Sequence, residues 1–209
     1  MKNIKFMDKT IQTYDRIAKD FAGLHKNTKW QEEFNYFSEL VKGKKVIDIG
    51  CGHGREAILF LNKGFDYLGI DASKSMLQEA KKIASKGKFV LMDFYNLKFP
   101  KESFDGFWAA SSLLHIPKGK VSGVLGQIRR ILKKDGVGFV SLKERKNLDE
   151  GMIKEDQYGG SERFFAFYEL EEFGRILLEN GFEIIKKYRL KQEDNGKIKD
   201  MLCYFVRKE

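Results

Sequence analysis

The sequence predicts an α/β fold, in which helices cover both faces of a seven-stranded and mostly parallel sheet. Three observations support this prediction. Short apolar segments alternate with helical patterns from residue 45 onward, as βαβ crossovers require. The first strand runs directly into a turn that contains three glycines. The last two strands are separated only by a short polar turn, which indicates a hairpin and therefore an antiparallel final strand.

The composition is that of one folded domain with a heavily charged surface. The 209 residues are 42% hydrophobic and 33% charged, and their net charge is +9. We predict a single domain over residues 1–209, with N-terminal helices in 1–43 and the α/β core in 44–209. The two cysteines suggest no disulfide or metal site, and no segment has the roughly 20 apolar residues of a membrane helix. We therefore expect a cytoplasmic protein without a signal peptide or a membrane partner.

Two amphipathic helices are predicted before the first strand. Residues 10–22 place apolar side chains at helical spacing, and a second stretch from Trp30 to Val41 does the same before Gly43 ends it. Helices in this position either cap a ligand site at the edge of the sheet or pack on one face of it. The sequence leaves both alternatives open.

The strands and helices of the core follow one another in a regular order. The predicted strands are residues 45–49, 67–70, 89–92, 104–110, 137–142, 182–188 and 201–206. A helix over about 54–62 is apolar almost all round, so we expect it to be buried. Ser73 is the expected N-cap of the next helix. A helical stripe over 121–132 is expected to close at Asp135-Gly136.

Two polar stretches interrupt this pattern. Residues 143–163 contain glycine and have little periodicity, which predicts a mobile loop or an insertion. Asp194, Asn195 and Gly196 form the expected turn of the last hairpin.

The glycine turn indicates a ligand that resembles a nucleotide. Asp48 ends the first strand region, and Gly50, Gly52 and Gly54 follow on alternate positions. A dinucleotide-binding turn places its third glycine where this chain has Arg55, and an arginine there conflicts with close packing around a pyrophosphate. The turn therefore disfavours NAD.

Acidic residues follow the next two strands. Asp71 comes 21 residues after Gly50, at a position where a carboxylate accepts hydrogen bonds from ribose hydroxyls. Asp93 ends the third strand, where a carboxylate could accept from an adenine amino group. Two carboxylates would repel phosphates, so they favour an adenosine that carries none.

Taken in order, these motifs resemble those of class I S-adenosylmethionine-dependent methyltransferases of the methyltransferase-11/25-like kind. The matching segments are VIDIGCGHG at 46–54, GIDAS at 69–73, MD at 92–93, LKFP at 97–100, SFD at 103–105 and LLHIP at 113–117. The resemblance covers the chain from about Tyr14 to the end. It implies a Rossmann-like three-layer sandwich, S-adenosyl-L-methionine as the cofactor and S-adenosyl-L-homocysteine as the product.

The resemblance also implies which residues contact the cofactor. The glycine turn would hold its methionine and ribose end, Asp71 its ribose, and Asp93 with its neighbours its adenine. A tyrosine of the N-terminal segment YDRIA would close over the site, and residues 109–111 would line the methionine side. The implied residues are Tyr14, Asp48, Gly50, Cys51, Gly52, Asp71, Ala72, Met76, Met92, Asp93, Phe94, Ala109 and Ser111.

No conserved catalytic set is expected, because the sulfonium is already an activated methyl donor and the protein mainly positions the acceptor. His115 is the candidate general base, although we favour a local hydrogen bond of its ring within the LLHIP turn. His53 is expected to be solvated. Residues 143–145 could meet the acceptor or lie in solvent, and residues 164–168 could wall an acceptor pocket or simply pack.

Three functions fit these motifs. The first is methylation of a small molecule, and the second is methylation of tRNA or another RNA. A third is a cofactor-binding protein without turnover. The basic residues of the last hairpin could bind RNA, but we favour a charged edge that resists aggregation; these residues are Lys186, Lys187, Arg189, Lys191, Lys197 and Lys199. The acceptor atom and the oligomeric state are left open.

Overall fold

A computed structural model describes residues 2–26, 30–194 and 197–209. The helices are α1 (Lys2–Leu24), α2 (Gln31–Leu40), α3 (Ala57–Asn62), α4 (Lys74–Ile83), α5 (Lys118–Ile131) and α6 (Leu170–Glu179). The strands are β1 (Lys45–Ile49), β2 (Asp66–Asp71), β3 (Lys88–Leu91), β4 (Phe104–Ala110), β5 (Leu132–Lys143), β6 (Glu150–Glu155), β7 (Ser161–Ala166), β8 (Phe182–Asp194) and β9 (Lys197–Lys208). Within these ranges no helix is long and apolar enough to cross a membrane. Asn195 and Gly196 of the predicted hairpin turn lie outside the described residues.

Seven strands form one sheet in the order β3-β2-β1-β4-β5-β9-β8. Strands β1 to β5 run parallel, whereas β9 is antiparallel to both β5 and β8. The predicted α/β fold with a reversed final strand is therefore confirmed. The strand order reverses between β1 and β4, and a ligand crevice forms at such a point outside the carboxyl ends of the strands.

Aromatic side chains fill the face of the sheet that α2 and α3 cover. Trp108 on β4 stacks on Phe139 of β5 with ring centroids 4.2 Å apart. Trp30, just before α2, packs edge-on against the same Phe139. Helix α2 thus packs on the sheet, which is one of the two roles that the sequence left open. The abundance of phenylalanine in the sequence is explained in part by this layer.

Helix α1 takes the other role and covers the carboxyl edge of the sheet. It is held there from two sides. Asp15 accepts hydrogen bonds from the Ser73 hydroxyl and the Ser75 amide at the start of α4. Thr10 accepts from the Phe164 amide of β7 at 2.9 Å. The N-terminal helices therefore divide the two predicted roles between them.

Two predictions about helix ends and burial are wrong. Helix α3 is only 57–62 and is not buried all round, because a helix of fewer than two turns offers one face to the sheet and leaves Ile58 40% exposed. The helix before β5 ends at Ile131, and Leu132 already pairs with Phe104 of β4. Asp135 adopts a φ of 59° at a register shift inside the strand region rather than closing the helix.

Residues 143–163 form an ordered insertion rather than a mobile loop. Strands β6 and β7 pair antiparallel as a hairpin, with a short 3-10 turn at Asp156–Tyr158 between them. The hairpin packs on α1, where Thr13 donates to the Glu162 carbonyl at 2.8 Å. Strand β6 has no fully buried side, so its sequence lacks the alternation that marks a half-buried strand. Helix α1 and this hairpin together roof the carboxyl edge of the sheet.

Candidate functional site

The main cavity lies under α1 at the carboxyl ends of β1, β2 and β4 and has a volume of about 920 Å³. The structure brings most of the sequence-predicted residues to its wall. They are Tyr14, Gly50, Cys51, Gly52, Asp71, Ala72, Met76, Asp93, Phe94, Ser111 and His115.

The glycine turn is shaped by backbone that other residues rarely adopt. Gly50, Gly52 and Gly54 have φ values of 73°, 53° and 74°. A Cβ atom at Gly50 would lie 2.4 Å from the Cβ atom of Ser112, and one at Gly54 would lie 2.8 Å from that of Ala80 on α4. Gly54 therefore allows the turn to pack closely against α4. This packing does not require a glycine at position 55, where a dinucleotide-binding turn has one.

Asp71 is a carboxylate held in place by the backbone around it. One oxygen accepts from the Gly52 amide and the other from the Ser73 amide, both at 2.8 Å. Burial raises the pKa of Asp71 to about 6, and these amide donors counteract the rise. A carboxylate has about four lone-pair sites, so each oxygen keeps capacity for a hydroxyl donor from the cavity.

Asp93 lies at the rim of the cavity rather than inside it. Its side chain is exposed and accepts from the amides of Tyr95 at 2.8 Å and Asn96 at 3.3 Å, so it forms a turn at the end of β3. Phe94 beside it also lines the cavity. The two acids thus differ in character, since Asp71 is half-buried and rigidly held, whereas Asp93 faces solvent.

Three of the implied cofactor-contacting residues lie outside the cavity wall. Asp48 is buried and accepts from the Tyr67 hydroxyl at 2.8 Å. Burial and the nearby Glu56 carboxylate raise its pKa well above the usual range. The other two are Met92, which packs against the core, and Ala109, which is fully buried.

Ala109 is buried because it still lies within β4. The chain leaves the strand conformation two residues later, at Ser111. Ser111 has a φ of 55°, and its amide donates to the Ser141 hydroxyl at 2.9 Å. The alternation of β4 therefore ends there, and Ala110, Ser111 and Ser112 all reach the wall. Such a φ at a non-glycine residue is strained, and strain of this kind concentrates at functional sites.

Sequence reasoning missed several residues of the wall, among them Thr10, Phe21, Arg55, Glu56 and Ser112. The Ser112 hydroxyl is buried and has no hydrogen-bond partner within the described part of the chain. A buried hydroxyl without a partner is costly, so this oxygen is a candidate contact for a bound ligand. Its place directly after β4 was the signal that could have identified it.

His53 is buried, so the expectation that it is solvated is wrong. Its Nε2 lies 3.0 Å from the carbonyl oxygen of His25 and donates to it. Burial and the Arg55 charge lower the pKa of His53, so its imidazole is a structural group of the turn.

His115 is fixed by two long-range hydrogen bonds, and the expected bond of its ring within the LLHIP turn is absent. Nδ1 lies 2.6 Å from the Phe164 carbonyl, which only accepts, so Nδ1 carries the proton. Nε2 then accepts from the Tyr14 hydroxyl at 2.7 Å. Burial, together with the Arg163 and Lys143 charges, lowers the pKa of His115 to about 3. The imidazole is therefore neutral at physiological pH.

Arg163 completes this network. Its Nη1 donates to the Tyr14 hydroxyl at 2.5 Å, and its guanidinium also pairs with Glu155 of the neighbouring strand. Burial raises the pKa of the Tyr14 phenol, although the Arg163 charge opposes the rise. The phenol accordingly stays protonated and donates to His115.

A second space, the side chamber, opens beside the main cavity and has a volume of about 580 Å³. Five residues line both spaces, namely Tyr14, Phe21, Arg55, Ser111 and His115. The remaining wall of the side chamber comprises His25, Trp30, Leu114, Lys143, Tyr158, Arg163, Phe165, Gln192, Lys199 and Met201. The two spaces therefore meet at the Tyr14–His115 pair.

The sequence suggested two segments as possible contacts of the acceptor, and in each of them one residue reaches the side chamber. In 143–145, Lys143 lines the side chamber, whereas Glu144 pairs with Arg189 and Arg145 pairs with Glu169. In 164–168, Phe165 alone is on the wall of the side chamber, and the other aromatic residues pack against the core. Among the described residues no group of three or more His, Cys, Asp or Glu is placed to hold a metal ion.

Comparison with known proteins gives a family for the central part of the chain. Residues 46–136 match the family described as a methyltransferase domain. The chain is 28% identical to sterol 24-C-methyltransferase ERG6B of Gibberella zeae over 167 residues, which are 74% of this chain and 43% of that protein. It is 31% identical to demethylmenaquinone methyltransferase of Thermotoga maritima over 134 residues, which are 60% of this chain and 58% of that protein. The aligned region spans about half the length of these relatives.

Solved structures share the fold. The crystal structure of 1,6-didemethyltoxoflavin-N1-methyltransferase from Burkholderia thailandensis has a TM-score of 0.79, with 99% of this chain and 90% of that chain covered. That crystal contains 1,6-didemethyltoxoflavin and S-adenosylhomocysteine. Sequence identity is 17%, so the likeness establishes the arrangement of strands and helices.

Proposed function

We propose that the protein methylates a small molecule with S-adenosylmethionine, because residues 46–136 match the methyltransferase-domain family and the chain shares the fold of S-adenosylmethionine-dependent methyltransferases. The observation that carries the proposal is the fixed Asp71 carboxylate at the end of β2. Its two oxygens are oriented by backbone amides, and the residue lies on the wall of the main cavity. Such a carboxylate is suited to accept from the hydroxyls of a ribose.

The residues of the main cavity fit this cofactor. Asp71 would hold the ribose, and the glycine turn lets the backbone approach the ligand closely because Gly50 and Gly52 lack side chains. The buried Ser112 hydroxyl would gain the partner that it lacks. Phe94 and Met76 supply apolar wall for the adenine. When bound, the cofactor supplies an activated methyl group on a sulfonium.

The protein's contribution to the chemistry is positioning and the exclusion of water. Helix α1 and the β6–β7 hairpin roof the site, and Tyr14 joins them through His115 and Arg163. We propose that His115 is a positioning residue rather than a general base, because its Nε2 lone pair is used by Tyr14 and its pKa is about 3. Transfer to an acceptor that arrives deprotonated requires no base.

Two observations favour a small-molecule acceptor over RNA. The side chamber meets the main cavity at the Tyr14–His115 pair, so a small molecule in it would lie next to the cofactor. Two basic residues of the last hairpin are engaged with neighbours. Lys187 pairs with Glu171, and Lys186 lies over the rings of Tyr36 and Tyr188. The sterol, demethylmenaquinone and didemethyltoxoflavin enzymes named above also act on small molecules.

Calorimetric titration with S-adenosylhomocysteine tests the cofactor site. The unaltered protein is expected to bind it, and Asp71→Asn is expected to weaken binding about tenfold or more, as loss of charged hydrogen bonds does. Asp66→Asn is the matched control, since Asp66 begins the same strand, is exposed and lies outside the cavity wall. Equal affinities of the two variants would refute the assignment of Asp71.

A further inference from the structure

Helix α1 covers the main cavity, and two consecutive residues hold it on different sides. Tyr14 bonds to the segment after β4 and to the β6–β7 hairpin. Asp15, the next residue, reaches the start of α4, where its Oδ1 accepts from the Ser73 hydroxyl at 2.7 Å and from the Ser75 amide at 2.9 Å. Successive residues of a helix lie about 100° apart around its axis, so the two side chains meet different walls.

Ser73 connects Asp15 with the candidate ribose-binding carboxylate. The Met76 amide donates to the Ser73 hydroxyl oxygen at 3.1 Å, so Ser73 is the N-cap of α4 and its hydroxyl proton is left for Asp15. On the other side the Ser73 amide donates to Asp71 Oδ1 at 2.8 Å. One residue therefore joins the carboxylate on α1 to the carboxylate at the end of β2.

Asp15 supplies a charge that the sequence of α4 lacks. The first amides of a helix have no acceptor within it, and they favour a negative charge nearby. The first turn of α4 contains no acidic residue. Ser73 satisfies the amide of Met76, and Asp15 satisfies that of Ser75 from another helix. The start of α4 is therefore held by α1 as well as by its own N-cap.

The segment that Asp15 holds forms part of the wall of the main cavity. Asp71, Ala72 and Met76 line the cavity, and Ser73 within this segment is buried. Asp15 itself is half-buried and is not one of the wall residues. Any effect of Asp15 on a ligand must therefore pass through the segment from Asp71 to Met76.

We propose that Asp15 is a positioning residue of the cofactor site, which through Ser73 holds the Asp71 carboxylate and the start of α4 in the arrangement that receives the ribose. The proposal rests on the proposed function, because it assigns to Asp15 a role in binding the same cofactor. It gives a function to the acidic residue of the YDRIA segment at 14–18. Since Tyr14 and Asp15 are neighbours on α1, the roof and the ribose site are ordered together.

Asp15 also acts on Asp71 through its charge. Burial raises the pKa of Asp71 to about 6, the neighbouring amide donors oppose this rise, and the Asp15 carboxylate contributes to it. Other titratable groups lie on the elements around Asp71; they are Tyr14, Asp48, Cys51, Arg55, Glu56 and Asp93. A substitution of Asp15 leaves all of them in place, so a change in the titration of Asp71 reports the charge of Asp15.

Two substitutions of Asp15 separate its hydrogen bonds from its charge. Asp15→Asn keeps an acceptor oxygen for both donors and removes the charge, whereas Asp15→Ala removes both. In calorimetric titrations with S-adenosylhomocysteine at pH 8, the Asn variant is expected to bind within about twofold of the unaltered protein and the Ala variant about tenfold more weakly. Asp20→Asn and Asp20→Ala are the matched controls, because Asp20 is exposed on the same helix and lies outside the cavity wall.

The pH dependence is a readout that a purely structural role of Asp15 would leave unchanged. The unaltered protein should lose affinity for S-adenosylhomocysteine as the pH falls below about 6, where Asp71 takes up a proton. In Asp15→Asn the midpoint of this loss is expected at a lower pH, because Asp71 gives up its proton more readily without a neighbouring negative charge. Asp20→Asn should keep the midpoint of the unaltered protein.

Equal affinities of Asp15→Ala and Asp20→Ala would overturn the proposal. An Asp15→Asn variant that binds as weakly as Asp15→Ala, or that keeps the midpoint of the unaltered protein, would overturn it as well. Thermal unfolding shows whether Asp15→Ala is folded, and the pH profile of Asp15→Asn decides the question without it. If S-adenosylhomocysteine fails to bind the unaltered protein, the proposed function fails, whereas binding that is independent of Asp15 refutes only this inference.

Discussion

Tyr14 and His115 lie 101 positions apart in the sequence, and the Tyr14 hydroxyl donates to His115 Nε2 at 2.7 Å. The same hydroxyl accepts from Arg163 at 2.5 Å. One oxygen therefore links α1 to the segment after β4 and to the hairpin above it. This link stands where the main cavity meets the side chamber, so the roof is tied to the segment between the two spaces.

Removing this oxygen is expected to loosen the roof. Tyr14→Phe leaves His115 Nε2 and one Arg163 donor without their partner, which costs about 1–3 kcal/mol of unfolding free energy. Affinity for S-adenosylhomocysteine is expected to fall as well, because Tyr14 lines the main cavity. Denaturant unfolding and calorimetry measure the two effects. Tyr36→Phe is the control, since Tyr36 lies outside both spaces, and a Tyr14 variant that behaves like this control would contradict the account.

Cofactor affinity is expected to depend on the ionisation of Asp71. Its pKa of about 6 means that the carboxyl takes up a proton as the pH falls below 6 and loses acceptor capacity for ribose hydroxyls. Affinity for S-adenosylhomocysteine should therefore be constant above pH 7 and decrease about tenfold per pH unit well below 6. Calorimetry from pH 5 to 8 measures this. The Asp71→Asn variant should show weaker binding without that dependence, and a flat profile of the unaltered protein would refute the role of this carboxylate.

His115 is expected to stay neutral throughout the physiological range. Its folded-state pKa of about 3 is lower than the roughly 6.5 of an unfolded histidine, so the unfolded chain binds more protons between these values. The unfolding free energy should accordingly decrease as the pH falls through 6.5, by at most about 1.4 kcal/mol per pH unit from this group. His115→Gln should reduce that slope. NMR resonances of the His115 ring that titrate between pH 5 and 8 would contradict the prediction.

The glycine turn permits a test that separates backbone strain from steric contact. Gly50→Ala places a Cβ atom 2.4 Å from the Ser112 Cβ at a φ of 73°. Gly64→Ala has a similar φ of 81° and no atom within 4 Å of its Cβ, so it measures the backbone strain alone. Both variants should be destabilised by about 1 kcal/mol of strain, and Gly50→Ala by about 1–3 kcal/mol more. Equal unfolding free energies would show that the turn relaxes around Ser112.

Local patterns made much of the fold and of the main cavity predictable. Asp71 lies at the end of β2, as the sequence predicts, because strand ends and glycine spacing are local features and the carboxyl ends of parallel strands meet at one edge. The β6–β7 hairpin was missed because no side of β6 is fully buried and its residues therefore show no period. The partners of His115 were also missed. Phe164 and Tyr14 are distant in sequence, and only the packing of α1 on the hairpin brings them to the imidazole.

Transfer of a labelled methyl group tests the central claim most directly. The protein is incubated with S-adenosylmethionine carrying an isotopically labelled methyl group and with a metabolite extract freed of protein and RNA, and the products are analysed by mass spectrometry. We predict labelled small molecules together with an equal amount of S-adenosylhomocysteine, and loss of both in Asp71→Asn but not in Asp66→Asn. A parallel reaction contains RNA in place of the extract. Label that enters only this RNA, or cofactor that is bound and recovered unchanged, would contradict the account.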